Sequence, residues 1–338
     1  MDIRQVLNKV IDKTELDPLE AEAAMRGIMT GELTSAQIGA LLTALRIKGE
    51  TVGEIAGFAR EMRNQAEKIT TVRHQLIDTC GTGGDGSLTF NISTAVAFVV
   101  AGAGMAVAKH GNRSVSSRCG SADVLEALGV KIDMSPVQVG QCLDAVGIAF
   151  LFAPVFHQAM KHVVGPRQEI GIRTVFNILG PLSNPAGAEV QLVGVYDANL
   201  TQVMAEVLHN LGTKRAMVVH GEDGLDEITC CGSTQISELK DGKISTYHIN
   251  PSDFGLGIAQ RTEIIGGDAQ ANAQIVLDIL QGTAGACRDI VLMNSAAALY
   301  VSGLAADLME GMVLARASID SGKAYGKLME LKKAAVAC

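Results

Sequence analysis

Tryptophan is missing from all 338 residues and aromatic side chains make up only 4% of them, so the interior must be built from Ala, Val, Leu and Ile. Basic charge is also short. Lys and Arg total 28 against 36 acids, a net charge of −8. Nucleic acid as a partner is disfavoured, because a polyanion is met by a Lys/Arg excess, and any anionic ligand must be held locally. No basic stretch followed by an apolar one opens the chain, so no secretory signal is expected. The longest apolar run, Thr94 to Ala108, is broken by Gly102 and Gly104. It is shorter than the ~20 residues of a membrane-spanning helix, so no membrane role is expected; it reads as a buried helix followed by a strand. The 7 cysteines, at 80, 119, 142, 230, 231, 287 and 338, form neither a C-x-x-C pair nor a zinc spacing. A reduced, cytoplasmic protein is the expectation. Internal repeats, low-complexity tracts and linkers are lacking too.

What is present points to a large α/β protein. Hydrophobic residues reach 48%, enough for a sizeable core, and 37 glycines supply turns. The length suggests about two domains at roughly 150 residues each. Residues 1–68 carry helix signals only. Asp17-Pro18-Leu19-Glu20, Thr34-x-x-Gln37 and Thr51-x-x-Glu54 are N-terminal capping patterns, and Ile38, Leu41, Leu42 and Leu45 fall on one helical stripe. From Gln75 onward short apolar runs alternate with Gly-rich turns and Ala-rich helices: Leu76 to Thr79, Asn91 to Gly102, Met105 to Ala108, with similar units at Ala122 to Ile132, Gln191 to Tyr196 and Ala216 to His220. This order predicts a mostly parallel central sheet flanked by helices in a large domain, 69–338, plus a small all-α domain, 1–68. The passage near 166–185, ending in Gly180-Pro181-Leu182-Ser183-Asn184-Pro185, reads as a return to the helical part. Short helices need a partner surface, so the small domain is also expected to carry a dimer contact and to close over a ligand.

Five segments carry chemistry. Asp78-Thr79-Cys80-Gly81-Thr82-Gly83-Gly84-Asp85 lies between a strand and a helix, where glycines let backbone N–H groups approach a phosphate. Alone it is equally an ordinary turn, and it matches neither the dinucleotide fingerprint nor the Walker loop. Asp85 within it suits a metal-bound pyrophosphate or a ribose hydroxyl better than a bare anion. Asn91-Ile92-Ser93-Thr94 are good helix caps that would also face that loop. Lys109 to Ser117, at a strand's C-terminal end, is dense in donors for phosphate. Arg167 and Arg173 offer a guanidinium for a carboxylate, although either could pair with Glu169 or another acid. Asp226 and Glu227 are a solvated acidic pair or, beside phosphate ligands, anchors for Mg²⁺.

Together these segments resemble the anthranilate phosphoribosyltransferase family of tryptophan biosynthesis. The likeness is carried by Gly81-Thr82-Gly83-Gly84-Asp85, by Lys109 through Ser117 into Gly120-Ser121-Ala122-Asp123, by Phe176-Asn177-Ile178-Leu179-Gly180-Pro181-Leu182 with Asn184-Pro185, and by Leu225-Asp226-Glu227. It implies a homodimer whose chains hold 5-phosphoribosyl-1-pyrophosphate and Mg²⁺ between a helical and an α/β domain. It assigns to that ligand Gly81, Gly84, Asp85, Thr89, Asn91, Ile92, Ser93, Thr94, Lys109, His110, Gly111, Asn112, Arg113, Ser114, Val115, Ser116, Ser117 and Ser121. Gly81, Asn112 and Arg167 would contact anthranilate, and Ser93, Asp226 and Glu227 would meet the metal. Cys119 departs from the small residues common there, which raises the question of its reactivity. Lys109 and His110 are the candidates for a direct chemical role, His110 either as the only proton acceptor in its loop or, equally, as a ring that stacks or hydrogen-bonds. The aniline nitrogen needs orientation more than deprotonation, so no nucleophilic side chain is expected. A pyrimidine-nucleoside phosphorylase of related fold, or a silent relative that binds nucleic acid, would be the alternatives. The first would not need Asp226 and Glu227, and the second conflicts with the acidic charge.

Overall fold

The computed structural model describes residues 2–114 and 118–337. Four helices open the chain: α1 (Ile3–Ile11), α2 (Pro18–Met29), α3 (Ser35–Lys48) and α4 (Val52–Gln65). The three capping patterns start α2, α3 and α4. Asp17 accepts from the backbone of Leu19 and Glu20 at 2.9 Å, Glu20 answers the Asp17 N–H at 2.8 Å, and Thr34–Gln37 and Thr51–Glu54 repeat the exchange. Glu54 does more than cap. Buried, it accepts from Leu16 N and Lys48 Nζ, pinning α3, α4 and the approach to α2 together.

The remainder runs β1 (Leu76–Gly81), α5 (Ile92–Gly102), β2 (Ala106–Gly111), α6 (Ser121–Ala127), α7 (Pro136–Val146), β3 (Ile148–Phe152) and α8 (Ala153–Phe156). Then come α9 (Lys161–Ile170), α10 (Phe176–Leu182), β4 (Val190–Gly194), α11 (Leu200–Asn210), β5 (Arg215–Gly221), β6 (Thr234–Lys240) and β7 (Lys243–Ile249). Four helices close the chain: α12 (Ala269–Leu280), α13 (Ala286–Val301), α14 (Leu308–Asp320) and α15 (Lys323–Ala337). One 7-stranded sheet has the order β3-β2-β1-β4-β5-β6-β7. Strands β1 to β5 pair in parallel, and β6 and β7 are antiparallel.

Helix α5 is apolar on all sides because it is wrapped on all sides. It lies on β1 and β2 beneath α13, α14 and α15. That face is one core; a second joins the bundle to α9, α10, α11 and the other face of β4 and β5. Helix α9, which follows β3, packs on α2 and α3.

Two sequence expectations need correction. Ala122 to Ile132 holds helix α6 but no strand. Val130, Ile132 and Met134 are buried while Lys131 and Asp133 are exposed, which gives strand-like alternation to an extended segment that pairs with nothing in the sheet. The strand following Met105 also runs on to Gly111, so Lys109 and His110 lie in β2 and not in the loop beyond it.

Candidate active site

Reading outward from β1, the strand order reverses between β1 and β4, and at such a switch point the loops after neighbouring strands part to leave a crevice at their C-terminal ends. Four loops meet there: residues 82–91 after β1, the described residues 112–114 and 118–120 after β2, 195–199 after β4 and 222–233 after β5. The described candidate residues lie on these loops and the strand ends feeding them, apart from Ile92, Ser93 and Thr94 at the start of α5, Ser121 at the start of α6, and Arg167 on α9.

The glycine loop is held open by tethers at its base. Gly83, Gly84 and Gly86 adopt φ of +63°, +74° and +71°, where a side chain would be strained. Thr82 donates its N–H to the Gly194 carbonyl at 2.9 Å, and its hydroxyl accepts from Tyr196 N at 3.1 Å. Gly83 N donates to Asp226 Oδ2 at 2.8 Å, and Arg173 donates to the Gly84 carbonyl. Asp85 turns back to Ser87. A Cβ on Gly194 would overlap the Asp226 carbonyl, and one on Gly81 would press on the Asp226 carboxylate, so these glycines allow the loop after β5 to reach the loop after β1. Thr89 bridges to Ile265 farther along.

Alternation along β2 sends Lys109 and His110 to opposite faces of the sheet. Buried Lys109 donates to the Thr79 carbonyl and, at 3.2 Å, to Ser93 Oγ at the start of α5. Burial lowers its pKa and the Asp78 carboxylate opposes that shift. Asn91 and Thr94 do not cap α5 in the expected way. Asn91 donates to the Cys119 carbonyl and accepts from Asn272, while the buried Thr94 hydroxyl has no partner among the described residues. Ile92 is core.

Three carboxylates crowd this side. Burial and the nearby Asp85 charge raise Asp226 to about 7; burial and Asp226 push Glu227 well above the carboxylate range, opposed by Lys109. Among the described residues no three His, Cys, Asp or Glu side chains form a ready-made chelate. Half-buried Asp226 and buried Glu227, the latter beside Ser93, are nevertheless an all-oxygen donor set short of positive charge. They fit Mg²⁺, which takes one or two protein carboxylates and completes its shell with substrate phosphate and water.

Beyond β2, Asp123 at the start of α6 accepts from the N–H groups of Ser114 and Gly120. Ser121 Oγ donates to the Asn112 carbonyl at 3.2 Å, next to Gly111. Arg113, which the resemblance gives to the same ligand, pairs with Asp123 and Glu126 in this structure. Val115, Ser116 and Ser117 lie outside the described residues. Cys119 is buried, and burial raises its pKa, which leaves an unreactive thiol.

On the other face of β2, His110 packs against His157 with ring centroids 5.1 Å apart. Burial, then His157, lowers His110 to about 3, and among the described residues its Nε2 has no partner. Such a ring stays neutral and is a poor proton acceptor, which favours the stacking or hydrogen-bonding role over that of a base. Arg167 is half-buried on α9 with its head over Phe176, 5.4 Å from the ring centroid. Burial lowers its pKa and, among the described residues, no acid pairs with it, Glu169 included.

The sequence reading missed His157, Tyr196 and the Asp78–Asn184 pair. Asn184 donates to Asp78 Oδ2 at 2.7 Å and to the Ala108 carbonyl at 2.8 Å, stitching the return segment to β1 and β2. Only the chemistry-rich passage around Asn184 signalled it; nothing near His157 did.

The crevice, its glycine loop and its acidic pair fit an α/β enzyme that binds an anionic substrate together with a metal ion. The chain matches the α/β domain of a glycosyl transferase family over residues 73–325 and that family's helical bundle domain over 4–66, and it belongs to this family. Its relatives are more particular. The anthranilate phosphoribosyltransferase of Moorella thermoacetica is 58% identical, covering 97% of both chains, and that of Acetivibrio thermocellus is 55% identical, covering 97% of this chain and 95% of its own. Among solved structures, anthranilate phosphoribosyltransferase from Thermus thermophilus superposes with a TM-score of 0.94 at 42% identity, covering 99% of this chain and all of its own. The Saccharomyces cerevisiae enzyme, in complex with PRPP and Mg, gives 0.91 at 27% identity over 99% and 98%. Within the family the chain thus groups with the anthranilate phosphoribosyltransferases.

Proposed function

We propose that this chain transfers the 5-phosphoribosyl group of 5-phosphoribosyl-1-pyrophosphate to the amine of anthranilate, releasing pyrophosphate, in tryptophan biosynthesis. The observation that carries the reading is the convergence of the Gly83–Gly86 loop, Lys109, Ser93 and the Asp226–Glu227 pair on one crevice at the switch point. Breaking the anomeric C–O bond develops positive charge on the ribose and negative charge on pyrophosphate, so catalysis rests on stabilising the leaving group. Backbone N–H groups of the glycine loop and the Lys109 ammonium, aimed by the Thr79 carbonyl and Ser93, serve that end. Asp226, Glu227 and Ser93 would hold Mg²⁺, which supplies charge neutralisation of the diphosphate when bound.

The acceptor is placed on the other side of β2. Arg167, a desolvated cation without an acid, reads its carboxylate. The family resemblance adds Asn112 and Gly81 to the acceptor's contacts, and a neutral His110 would orient the acceptor without taking its proton. We also infer that residues 1–68 with the return near 166–185 form the small unit and 69–338 the large one, and that the chain is a cytoplasmic homodimer. The packing of α9 on α2 and α3 supports the first. Large apolar side chains exposed on the bundle, Ile11, Leu19 and Ile47, support the dimer. Among the described residues, no helix is long and apolar enough to cross a membrane.

The direct test follows anthranilate fluorescence with and without phosphoribosyl pyrophosphate and Mg²⁺. Loss of signal only when both are present supports the reading. Unchanged anthranilate, with phosphate-dependent cleavage of a pyrimidine nucleoside, overturns it.

A further inference from the structure

Arg173, open in the sequence between reading a carboxylate and pairing with an acid, pairs with no acid among the described residues and is exposed. It leaves the segment between α9 and α10 and crosses to the glycine loop. There its guanidinium sits over the Tyr196 ring, 4.2 Å from the ring centroid, and donates through Nη2 to the Gly84 carbonyl. Tyr196 is itself fixed, because its N–H donates to Thr82 Oγ1 at the base of the same loop. Around this contact is a cavity of about 450 Å³ lined by Arg46, Arg173, Tyr196, Asp197, His220 and Gly224. Arg46 comes from α3 of the bundle, so the bundle, the return segment and the loops after β4 and β5 face one another across this space.

The contact has a definite backbone consequence. The Gly84–Asp85 peptide is trans, so its carbonyl and N–H point in opposite directions. With the Gly84 carbonyl drawn to the guanidinium, the Asp85 N–H is turned away from Arg173. Gly84, at φ +74° with no side chain, has little of its own to hold that peptide plane. Gly83 is fixed separately by Asp226.

We infer that Arg173 is a positioning residue: seated over Tyr196, it locks the Gly84–Asp85 peptide so that the glycine loop presents its N–H groups to the diphosphate of the phosphoribosyl donor. This rests on the phosphoribosyl reading of the loop, and it separates two arginines of one segment by substrate, Arg167 to the acceptor and Arg173 to the donor. A planar guanidinium is suited to stack and donate at once; a lysine ammonium can donate but cannot lie flat on the ring.

The test compares wild type, R173A and R173K. Binding of phosphoribosyl pyrophosphate with Mg²⁺ is titrated calorimetrically without acceptor, and both KM values and the melting temperature are measured. For R173A we expect donor affinity to weaken about 10-fold, with a matching rise in donor KM, since a charge-assisted hydrogen bond is lost. Anthranilate KM and the melting temperature stay near wild type, and R173K recovers part of the donor affinity. Unchanged donor binding in R173A, or an equal rise in both KM values, overturns the proposal. So does a drop in melting temperature that accounts for every loss. A wild-type chain that does not bind phosphoribosyl pyrophosphate overturns the phosphoribosyl reading and this inference with it; wild-type binding with normal R173A binding overturns this inference alone.

Discussion

At the scale of single residues, the site is short of positive charge where the acids meet and short of negative charge at Arg167, and both shortages make predictions. Asp226 is raised to about 7 in the fold, against about 3.9 in an unfolded chain. Between those values the native state keeps a proton that the unfolded state has lost, so stability falls as pH rises through the window, with the full cost present above about 7. Asp226→Asn removes the cost. The ligand-free variant should melt about 2–4 °C above wild type at pH 8 and gain less at pH 5, while Mg²⁺-dependent turnover collapses. Equal gains at both pH values, read by thermal scans, would refute the titration. Glu227→Ala should likewise lose Mg²⁺-dependent activity far more than stability. Arg167→Ala should raise the anthranilate KM by about 10- to 150-fold and leave the donor KM nearly unchanged. An anthranilate KM within a factor of about two, or aniline binding as well as anthranilate, ends the carboxylate assignment.

Elements divide into those whose signals are local and those fixed by distant neighbours. Capping pairs such as Asp17–Glu20 and Thr51–Glu54 act over three residues, and the helices they predict are present. Val130 to Met134 misled because burial alternation is only half of a strand; the other half is a hydrogen-bonding neighbour, which sequence does not display. The β6–β7 hairpin had a signal that went unread, Asp241-Gly242 at φ +52° and +72°, the pair a tight hairpin turn prefers. For the site, the loops were legible because phosphate chemistry concentrates donors and glycines in short runs. His157 and Tyr196 were not, since each gains its place from an element far away in sequence. A test at this scale is Gly194→Ala, at the end of β4. The added methyl meets the Asp226 carbonyl, so the loop after β5 must shift. Urea denaturation should show a loss of about 1–3 kcal/mol, and Mg²⁺ titration should show weakened activation. A variant with normal Mg²⁺ response would mean the two loops are not coupled at this contact.

For the molecule as a whole, sedimentation at micromolar concentration should give a dimer, with Ile47→Asp on the outer end of α3 shifting it toward monomer. A wild-type monomer would refute the dimer and leave the exposed Ile11, Leu19 and Ile47 without a covering partner. The arrangement of cores bears on how the parts can be separated. The bundle core does not stop at Gln65; it continues through Val163, Phe176 and Leu179 onto Val193, Val195 and Val218 of the sheet's β4–β5 side. A gene cut after the fourth helix would therefore strip one face of a strand pair bare and leave four helices with half an interior. A chimera between relatives would have to exchange the bundle together with the return segment and the apolar residues of β4 and β5 that it covers. The seam along which this protein can be recombined runs through the thickness of its sheet and crosses the chain several times.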